Sequence, residues 1–577
     1  MAQSKRQFRL PAIGTGLTAA WKAGYSLQDL RSDVLAGLTI GTVAVPLSMA
    51  LAIATGVAPQ HGLYTAIVAG AIIALTGGSR FNVSGPTAAF VVILFPIVQQ
   101  FGLGGLLLAT LMAGLILVAL GVTGMGRLIQ FVPYPVILGF TAGIAVVIAT
   151  LQLPDFLGLE IDQMSAHYLD NLAHIFSALT TINATEVGIG AFTLAVLLLW
   201  PRLKMAIPAP LVGLVLGALA AWLVNHFFAA GGGVETIASR FSWEIDGVSG
   251  TGIPPLPPTL LLPWSLPGPD GQPLVVDFAL IRALLGPAFA IAMLGAIESL
   301  LCAVVADGLT KTRHDPNAEL IGQGLGNIAA PFFGGITATA AIARTATNVR
   351  SGARSPIAAF IHALVVLLTI VALAGLLGLV PMAALAALLF IVAWNMSEAR
   401  HFMHTLRSAP AGDVAILLIC FGLTVIFDMV LAVAVGIGLA AALFIRRMAL
   451  LTNTGLLTRD SHPQIQGLPD EVAVYDIDGP LFFAAAEKAL TSLRLVDPKI
   501  KTIILDMQDV PSMDGTAILA LESLVKDMQK DDVKLILVGL PGRILVKLKR
   551  AGIRRTKGKL AACHHLEAAR KRALAWQ

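Results

Sequence analysis

A single arginine, Arg344, closes a run of small residues, FGGITATAAIARTATN (Phe333–Asn348), that lies between long apolar stretches. At membrane depth an isolated arginine costs ~2.5–3.5 kcal/mol on insertion scales unless it meets water, a partner or a ligand. Gly334, Gly335 and the small residues after them suit a helix that starts inside the membrane. The first turn of such a helix presents unpaired N–H groups and a positive dipole end to whatever lies before it. With Arg344 in its first turns, that end attracts an anion.

A second charged residue, Glu298, sits deep in AMLGAIESLLCAVVADG. A carboxyl group there must be protonated, paired or hydrated. Two readings stay open. Glu298 forms a fixed ion pair with Arg344 and ties two helices together, or it exchanges a proton or a cation in step with a substrate. Cys302, one turn on, is a poor donor for Na⁺, which prefers hard oxygen ligands, so the second reading leans to a proton. Asp307 is expected to lie at the membrane surface or to pair with Lys311 or Arg313.

The elements that must position these residues are legible from composition. Of the 577 residues, 56% are hydrophobic and 13% charged, half the roughly 25% usual in a soluble protein. That excludes a soluble enzyme or nucleic-acid binder and points to a polytopic membrane protein. The three cysteines, Cys302, Cys420 and Cys563, match no metal or redox spacing, and no cofactor is expected. There is no recognisable nucleophile–base pair or phosphate loop, so an enzyme is not expected. No cleavable signal peptide is read in the polar, basic first thirty residues.

Apolar segments fall at 34–54, 61–77, 84–99, 102–122, 132–153, 186–201 and 207–228. A second set falls at 279–306, 317–332, 338–349, 356–379, 381–396, 413–428 and 430–448. The fold class is therefore α-helical and polytopic, with fourteen transmembrane segments in two sets of seven. An odd number per half implies two repeats of inverted topology. The basic N-terminal residues 1–33, and Lys and Arg in the short loops expected inside, agree with it. The long loops 154–185, with no Lys or Arg, and 229–277, with only Arg240, are expected outside. The third segment opens VSGPTAAFVVIL (Val83–Leu94), and its counterpart in the second half is the run closed by Arg344. Matched segments broken by Gly or Pro are the best sequence pointer to a transporter's binding site; ordinary membrane kinks are the alternative. The proline-rich IPPLPPTLLLPWSLPGP in 229–277 is expected to be an extended surface cover.

After Arg447 the composition changes. Residues 451–468 read as a linker, and 469–577 as a soluble α/β domain with strands at Glu471–Ile477, Lys501–Met507 and Lys534–Gly539 and a helix at Thr516–Met528. His564 and His565 are read as part of a solvated face rather than a metal site.

The passages VAPQHGLYTAIVAG (57–70), GGSRFNVSGPTAAF (77–90), GAIESLLCAVVADG (295–308), GQGLGNIAAPFFGG (322–335) and VAWNMSEA (392–399) resemble the sulfate permease (SulP) family, which includes the animal solute-carrier anion exchangers. The likeness covers nearly the whole chain, and the sequence looks most like the bacterial four-carbon-dicarboxylate branch. The tail resembles the family's STAS domain. The resemblance implies a transport domain over 34–450, with a core of segments 1–4 and 8–11 moving like an elevator against segments 5–7 and 12–14. It also implies a homodimer in the bacterial inner membrane, with the N-terminus and STAS domain cytoplasmic. By position it places the anion site at Thr87 and Ala88 on segment 3 and at Ala341, Ile342, Ala343 and Arg344 on segment 10. Ser48 and Leu51 on segment 1 and Glu298 on segment 8 should line the same cavity.

The sequence departs from the animal members at Leu47, where they often carry glutamine, and at Ala341 and Ala343, where they often carry serines. In STAS antagonists a phosphorylated serine follows the helix-start aspartate; here Gly515 follows Asp514. The leading expectation is proton-coupled transport of a dicarboxylate such as succinate, fumarate or aspartate. The alternatives are transport of sulfate or bicarbonate, or an anion channel or sensor signalling through the STAS domain. The expected partners are a small anion, the lipid bilayer and a second copy, with no nucleic acid.

Overall fold

The computed structural model describes residues 12–576 apart from 130–131, 162–163, 206, 228–232, 246, 267, 269–271, 273, 428, 458–464, 483–485, 487–489, 491–496 and 498. Lys5, Arg6 and Arg9, parts of the loop 229–277 and much of the expected linker lie outside the described residues. The chain divides into two compact units, Met1–Ile437 and Gly438–Gln577.

The first unit is helical. α1 (Leu27–Ala54) starts at a capping box formed by Ser26 and Asp29, and α2 (Pro59–Thr76) starts on a proline, which lacks the N–H that a first turn leaves unpaired. A two-residue strand β1 (Ser84–Gly85) precedes α3 (Ala88–Val122). Gly102, with φ of 67°, breaks α3 into two rods, so α3 supplies both the third and the fourth expected segments. Then come α4 (Tyr134–Leu151), α5 (Ala184–Leu199), α6 (Ala209–Phe227), α7 (Phe278–Thr310) and α8 (Pro316–Ala329). The strand β2 (Thr339–Ala340) leads into α9 (Ile342–Arg350), followed by α10 (Ile357–Leu377), α11 (Met382–Ser397), α12 (Ala411–Ile426) and α13 (Met429–Leu451), which runs on from the first unit into the second at Gly438.

These helices fall on the expected apolar stretches. Among the described residues, nine are long and apolar enough to cross a membrane by length and composition. α9, of 9 residues, is too short to be one of them, because the run before it stays extended as far as β2.

Packing sorts the helices into two groups. α1, α2, α3, α7, α8, α9 and α10 pack among themselves, as do α4, α5, α6, α11 and α12; the groups meet where α6 and α11 touch α1 and where α3 touches α4. Small residues allow the close approaches. A Cβ at Gly114 of α3 would lie 2.8 Å from the Gly324 carbonyl of α8, so the two backbones are nearly in contact. The described part of the proline-rich loop covers the first unit: the Leu261 N–H donates to Phe332 O at 2.8 Å, and Trp264 meets the Phe332 ring edge-on.

The second unit is a five-stranded sheet in the order β3 (Asn453–Leu456), β4 (Val472–Asp478), β5 (Thr502–Asp506), β6 (Lys534–Val538) and β7 (Leu560–Cys563). β3 is antiparallel to β4, and the other pairings are parallel. Because side chains alternate along a strand, the sheet buries two faces. Ile503, Leu505, Leu535 and Leu537 pack with Leu521 and Leu524 of α14 (Gly515–Lys530), and Ile544 and Leu548 of α15 (Gly542–Arg550) belong to the same core. Ile504, Ile536 and Val538 pack on the other face with Leu566, Ala569 and Ala573 of α16 (Leu566–Ala575).

The expected linker at 451–468 is corrected here: it opens with β3, an edge strand of the sheet. Asp514 caps α14 by accepting from Ala517 N–H at 2.8 Å, with Gly515 at the first helical position. His564 and His565 are exposed, as a solvated face requires.

Candidate anion-binding site

β1 and β2 lie antiparallel, with Ser84 opposite Ala340 and Gly85 opposite Thr339. The helices that follow them therefore start close together and leave in opposite directions. Thr87 and Ala341 are their N-caps, both in extended backbone, and neither side chain caps its own helix. The first bonds at these ends run from Phe90 N–H to Thr87 O (3.3 Å) and from Thr345 N–H to Ala341 O (2.9 Å). The amides of Ala88, Ala89, Ile342, Ala343 and Arg344 precede those bonds and have no carbonyl of their own helix to reach. Two positive helix ends thus converge on one place.

A cavity of about 320 Å³ opens there. It is lined by Pro86 to Ala89, by Ala341 to Arg344, by Glu298 with Leu294, Ile297 and Leu301 of α7, and by Leu47 and Leu51 of α1. Its other wall comes from Ile137, Phe140 and Thr141 of α4 and from Val392, Asn395, Met396 and Glu398 at the end of α11.

Arg344 is 5% exposed. Its Nη2 donates to Pro86 O at 2.7 Å, and its buried Nη1 has no hydrogen-bond partner in the protein. Among the described residues no ion pair joins Glu298 to Arg344, so the fixed bridge is not what holds these helices together. Glu298 Oε2 instead accepts from Thr87 Oγ1 at 3.1 Å, so the hydroxyl at the α3 N-cap serves the carboxyl group and not its own helix.

Of the residues expected at the site, Leu51, Thr87, Ala88, Glu298, Ala341, Ile342, Ala343 and Arg344 all line this cavity. Ser48 does not. It is fully buried with an unpartnered hydroxyl, on the α1 face where α2 comes so close that a Cβ at Gly62 would meet Ser48 O at 2.0 Å. Leu47 and Leu51, four residues apart on another face of α1, take the cavity side. The wall from α4 and α11 was missed, although Val392, Asn395, Met396 and Glu398 lie in the passage VAWNMSEA. Glu398 has φ of 43°, rare for a non-glycine residue, and meets Tyr134 Oη at 3.5 Å and His401 Nδ1 at 3.3 Å.

Gly85 makes room for the guanidinium: a Cβ there would lie 2.7 Å from Arg344 Nη1. The atom met is the far end of a flexible side chain, so the guanidinium can shift at little cost to the fold. Gly85→Ala should therefore push Arg344 aside and weaken anion binding by about tenfold or more, read by equilibrium binding of a labelled anion.

A polar network fixes the crossing from behind. Glu319, 1% exposed, accepts from Gly78 N–H and Ser79 N–H, both at 2.9 Å, from Asn82 Nδ2 at 2.8 Å and from Gln323 Nε2 at 3.0 Å. Gln323 also reaches Ser84 Oγ at 3.0 Å, and Asn327 bonds both Ala338 N–H and Ala338 O at 2.8 Å. From α9, Thr345 Oγ1 accepts from Val83 N–H at 3.0 Å and Asn348 Nδ2 donates to Phe81 O at 2.9 Å. Glu319→Ala would leave the buried N–H groups of Gly78 and Ser79 unmatched, at about 1–3 kcal/mol each, while Asn82 and Gln323 would keep one acceptor each, Ser299 O and Ser84 Oγ. A clear loss of thermal stability in detergent is expected, where a surface glutamate such as Glu522 would show none.

Sequence reasoning missed Glu319, and also Asp33, whose buried carboxyl group accepts from Tyr25 Oη at 2.7 Å and Arg354 N–H at 2.6 Å. Asp307 does not pair with Lys311 or Arg313. It accepts from Thr312 Oγ1 at 2.9 Å and from His314 N–H at 2.9 Å and meets His314 Nδ1 at 2.8 Å, which closes the turn after α7.

The chain matches the sulfate permease family over residues 30–420 and the STAS domain over 462–562. It is 40% identical over 538 residues to "Putative sulfate transporter YvdB" of Bacillus subtilis, covering 93% of this chain and 96% of that one. It is 30% identical over 553 residues to the bicarbonate transporter BicA of Picosynechococcus, covering 91% of each. The solved transmembrane domain of a cyanobacterium bicarbonate transporter BicA superposes with a TM-score of 0.59 at 28% identity, covering 72% of this chain and 98% of that one. The overall structure of SLC26A9 superposes with a TM-score of 0.80 over 97% of this chain and 93% of that one, at 19% identity, a likeness of fold.

Proposed function

The chain belongs to the sulfate permease family, and from that premise we propose that it is a secondary transporter of a small inorganic oxyanion, sulfate or bicarbonate. The observation that carries this reading is the pair of opposed helix N-termini in one cavity, with Arg344 behind them and no carboxylate pairing it. Relatives named for sulfate and bicarbonate support the inorganic anion over the dicarboxylate branch to which the sequence looked closest. A dicarboxylate such as succinate remains the second reading. Leu47, Leu51, Ile297, Leu301 and Met396 give the cavity an apolar wall that suits a hydrocarbon body.

In this reading α1–α3 and α7–α10 form the moving core, and α4–α6 with α11–α13 form the frame. The cavity lies where both groups contribute, as an elevator motion requires. Glu298 couples anion movement to a proton. The protein works as a homodimer in the bacterial plasma membrane, with its N-terminus and STAS domain in the cytoplasm. One sharp polar locus in an otherwise apolar cavity favours alternating access over a channel, which needs a continuous polar path.

Uptake of labelled sulfate, bicarbonate and succinate into proteoliposomes, with and without a pH gradient and in sodium-free buffer, tests this. Uptake of sulfate or bicarbonate is expected. Uptake of succinate alone would transfer the assignment to the second reading, and uptake of none would overturn transport.

A further inference from the structure

The second unit carries a charge pattern that anion transport does not use. The segment Arg543 to Lys559, RILVKLKRAGIRRTKGK, contains eight lysines and arginines and no Asp or Glu. All eight are exposed. Among the described residues only Lys559 has a carboxylate within ion-pair distance, Asp532 at 4.0 Å. Arg543 and Arg555 donate to backbone carbonyls, those of Pro511 at 2.8 Å and Ala562 at 2.9 Å, and so keep their charge uncompensated. A crevice of about 70 Å³, floored by Leu537, Leu548 and Ile553 and rimmed by Lys549, Arg554 and Arg555, opens in this face. Val546, half exposed, stands among the charges. The preceding stretch, Asp497 to Asp532, holds eight Asp and Glu against four Lys, so basic and acidic residues are segregated along the chain and meet at Lys559 and Asp532.

We infer that this face binds the phosphate headgroups of anionic lipids at the surface of the membrane that carries the protein. Three features select this occupant. Guanidinium groups around a small crevice match a phosphate's fork of acceptors. An exposed valine among cations suits the boundary between headgroups and acyl chains. The sheet is also tethered: β3 begins at Asn453, two residues after α13 ends at Leu451, and α13 contains an apolar span, Leu431–Met448. That connection holds the unit at high effective concentration next to a bilayer surface. Arg446 and Arg447, both exposed near the end of α13, add charge of the same sign. A basic cluster of this size is attracted to an anionic leaflet over about a Debye length, 8–10 Å in physiological salt, once the tether brings it within that range.

The test uses the full chain reconstituted into vesicles of phosphatidylcholine alone, or of phosphatidylcholine with phosphatidylglycerol. The rate of amine acylation is followed at each lysine by mass spectrometry. In the anionic vesicles Lys547, Lys549 and Lys557 should react about fivefold more slowly or less, and high salt should restore them, while Lys526 and Lys530 stay unchanged. The double variant Lys549→Glu, Arg554→Glu should lose the protection of Lys547 and Lys557 with control rates intact. Equal rates in both vesicles would overturn the inference even if that variant fails to assemble. So would protection in both vesicles, which would indicate the acidic stretch of a second copy. Protection by added inorganic triphosphate and not by phosphatidylglycerol would overturn it in favour of a soluble ligand.

Discussion

Arg344→Ala is expected to abolish high-affinity anion binding while leaving the protein folded. The guanidinium makes one hydrogen bond to a neutral acceptor, Pro86 O, and its Nη1 is buried without a partner. Burying a cation so poorly matched costs more than that bond returns, so deleting it should not destabilise the fold. An anion between the two helix ends, by contrast, would lose the only full positive charge among the residues lining its cavity. Removing one side of a buried charge pair costs ~2–5 kcal/mol, or roughly 30-fold to several thousand-fold in affinity. Arg344→Lys should rescue poorly, since an ammonium cannot reproduce the planar geometry that reaches Pro86 O. Binding of a labelled anion to purified protein, with thermal unfolding as the control for folding, is the measurement. Wild-type affinity in the alanine variant would remove Arg344 from the site.

Glu298→Gln is expected to keep anion binding and lose its pH dependence. A divalent anion brings two negative charges against one from Arg344 and roughly half a unit from each helix end. An ionised Glu298 in the same cavity opposes the anion, and a protonated one does not. Lowering the pH should therefore tighten binding and accelerate uptake, and by reciprocity the anion should draw a proton onto Glu298. Glutamine keeps an oxygen that can accept from Thr87 Oγ1, so the geometry at the α3 N-cap should survive. The variant should bind equally well from acid to neutral pH and fail to accumulate substrate against a gradient. If uptake by the unmodified protein depends on sodium and is indifferent to pH, Glu298 holds a cation and the proton role is wrong.

The fold was legible wherever one physical signal dominated. Long apolar runs gave the helices, and the strand periodicity of KTIILDM gave β5. Gly85-Pro86 and Gly334-Gly335 marked the two places where a helix could not begin at the membrane surface, and the structure puts the opposed helix ends just beyond them. What stayed illegible depends on rotation or on contacts distant in sequence. The face that α1 turns to the cavity is set by how closely Gly62 lets α2 approach, so Ser48 was placed wrongly by one position. Nothing near Glu319 in the sequence marks its role, because its four donors come from Gly78, Ser79, Asn82 and Gln323, three of them some 240 positions away. β7, LAAC, is short and lacks the β-branched residues that announce a strand. The α11 wall was quoted in a motif without a role, because a residue such as Glu398 gains one only when two packing groups close around the same space.

The location of a bound anion tests the central claim most directly. Crystals soaked in selenate, a sulfate analogue, and separately in bromosuccinate would each give an anomalous peak at the heavy atom. The expected result is a peak in the cavity between the first-turn amides of Ala88 and Ala89 on one side and those of Ile342 to Arg344 on the other, with whichever anion is transported. A peak elsewhere in the protein, or none there for an anion that the protein demonstrably carries, would contradict it.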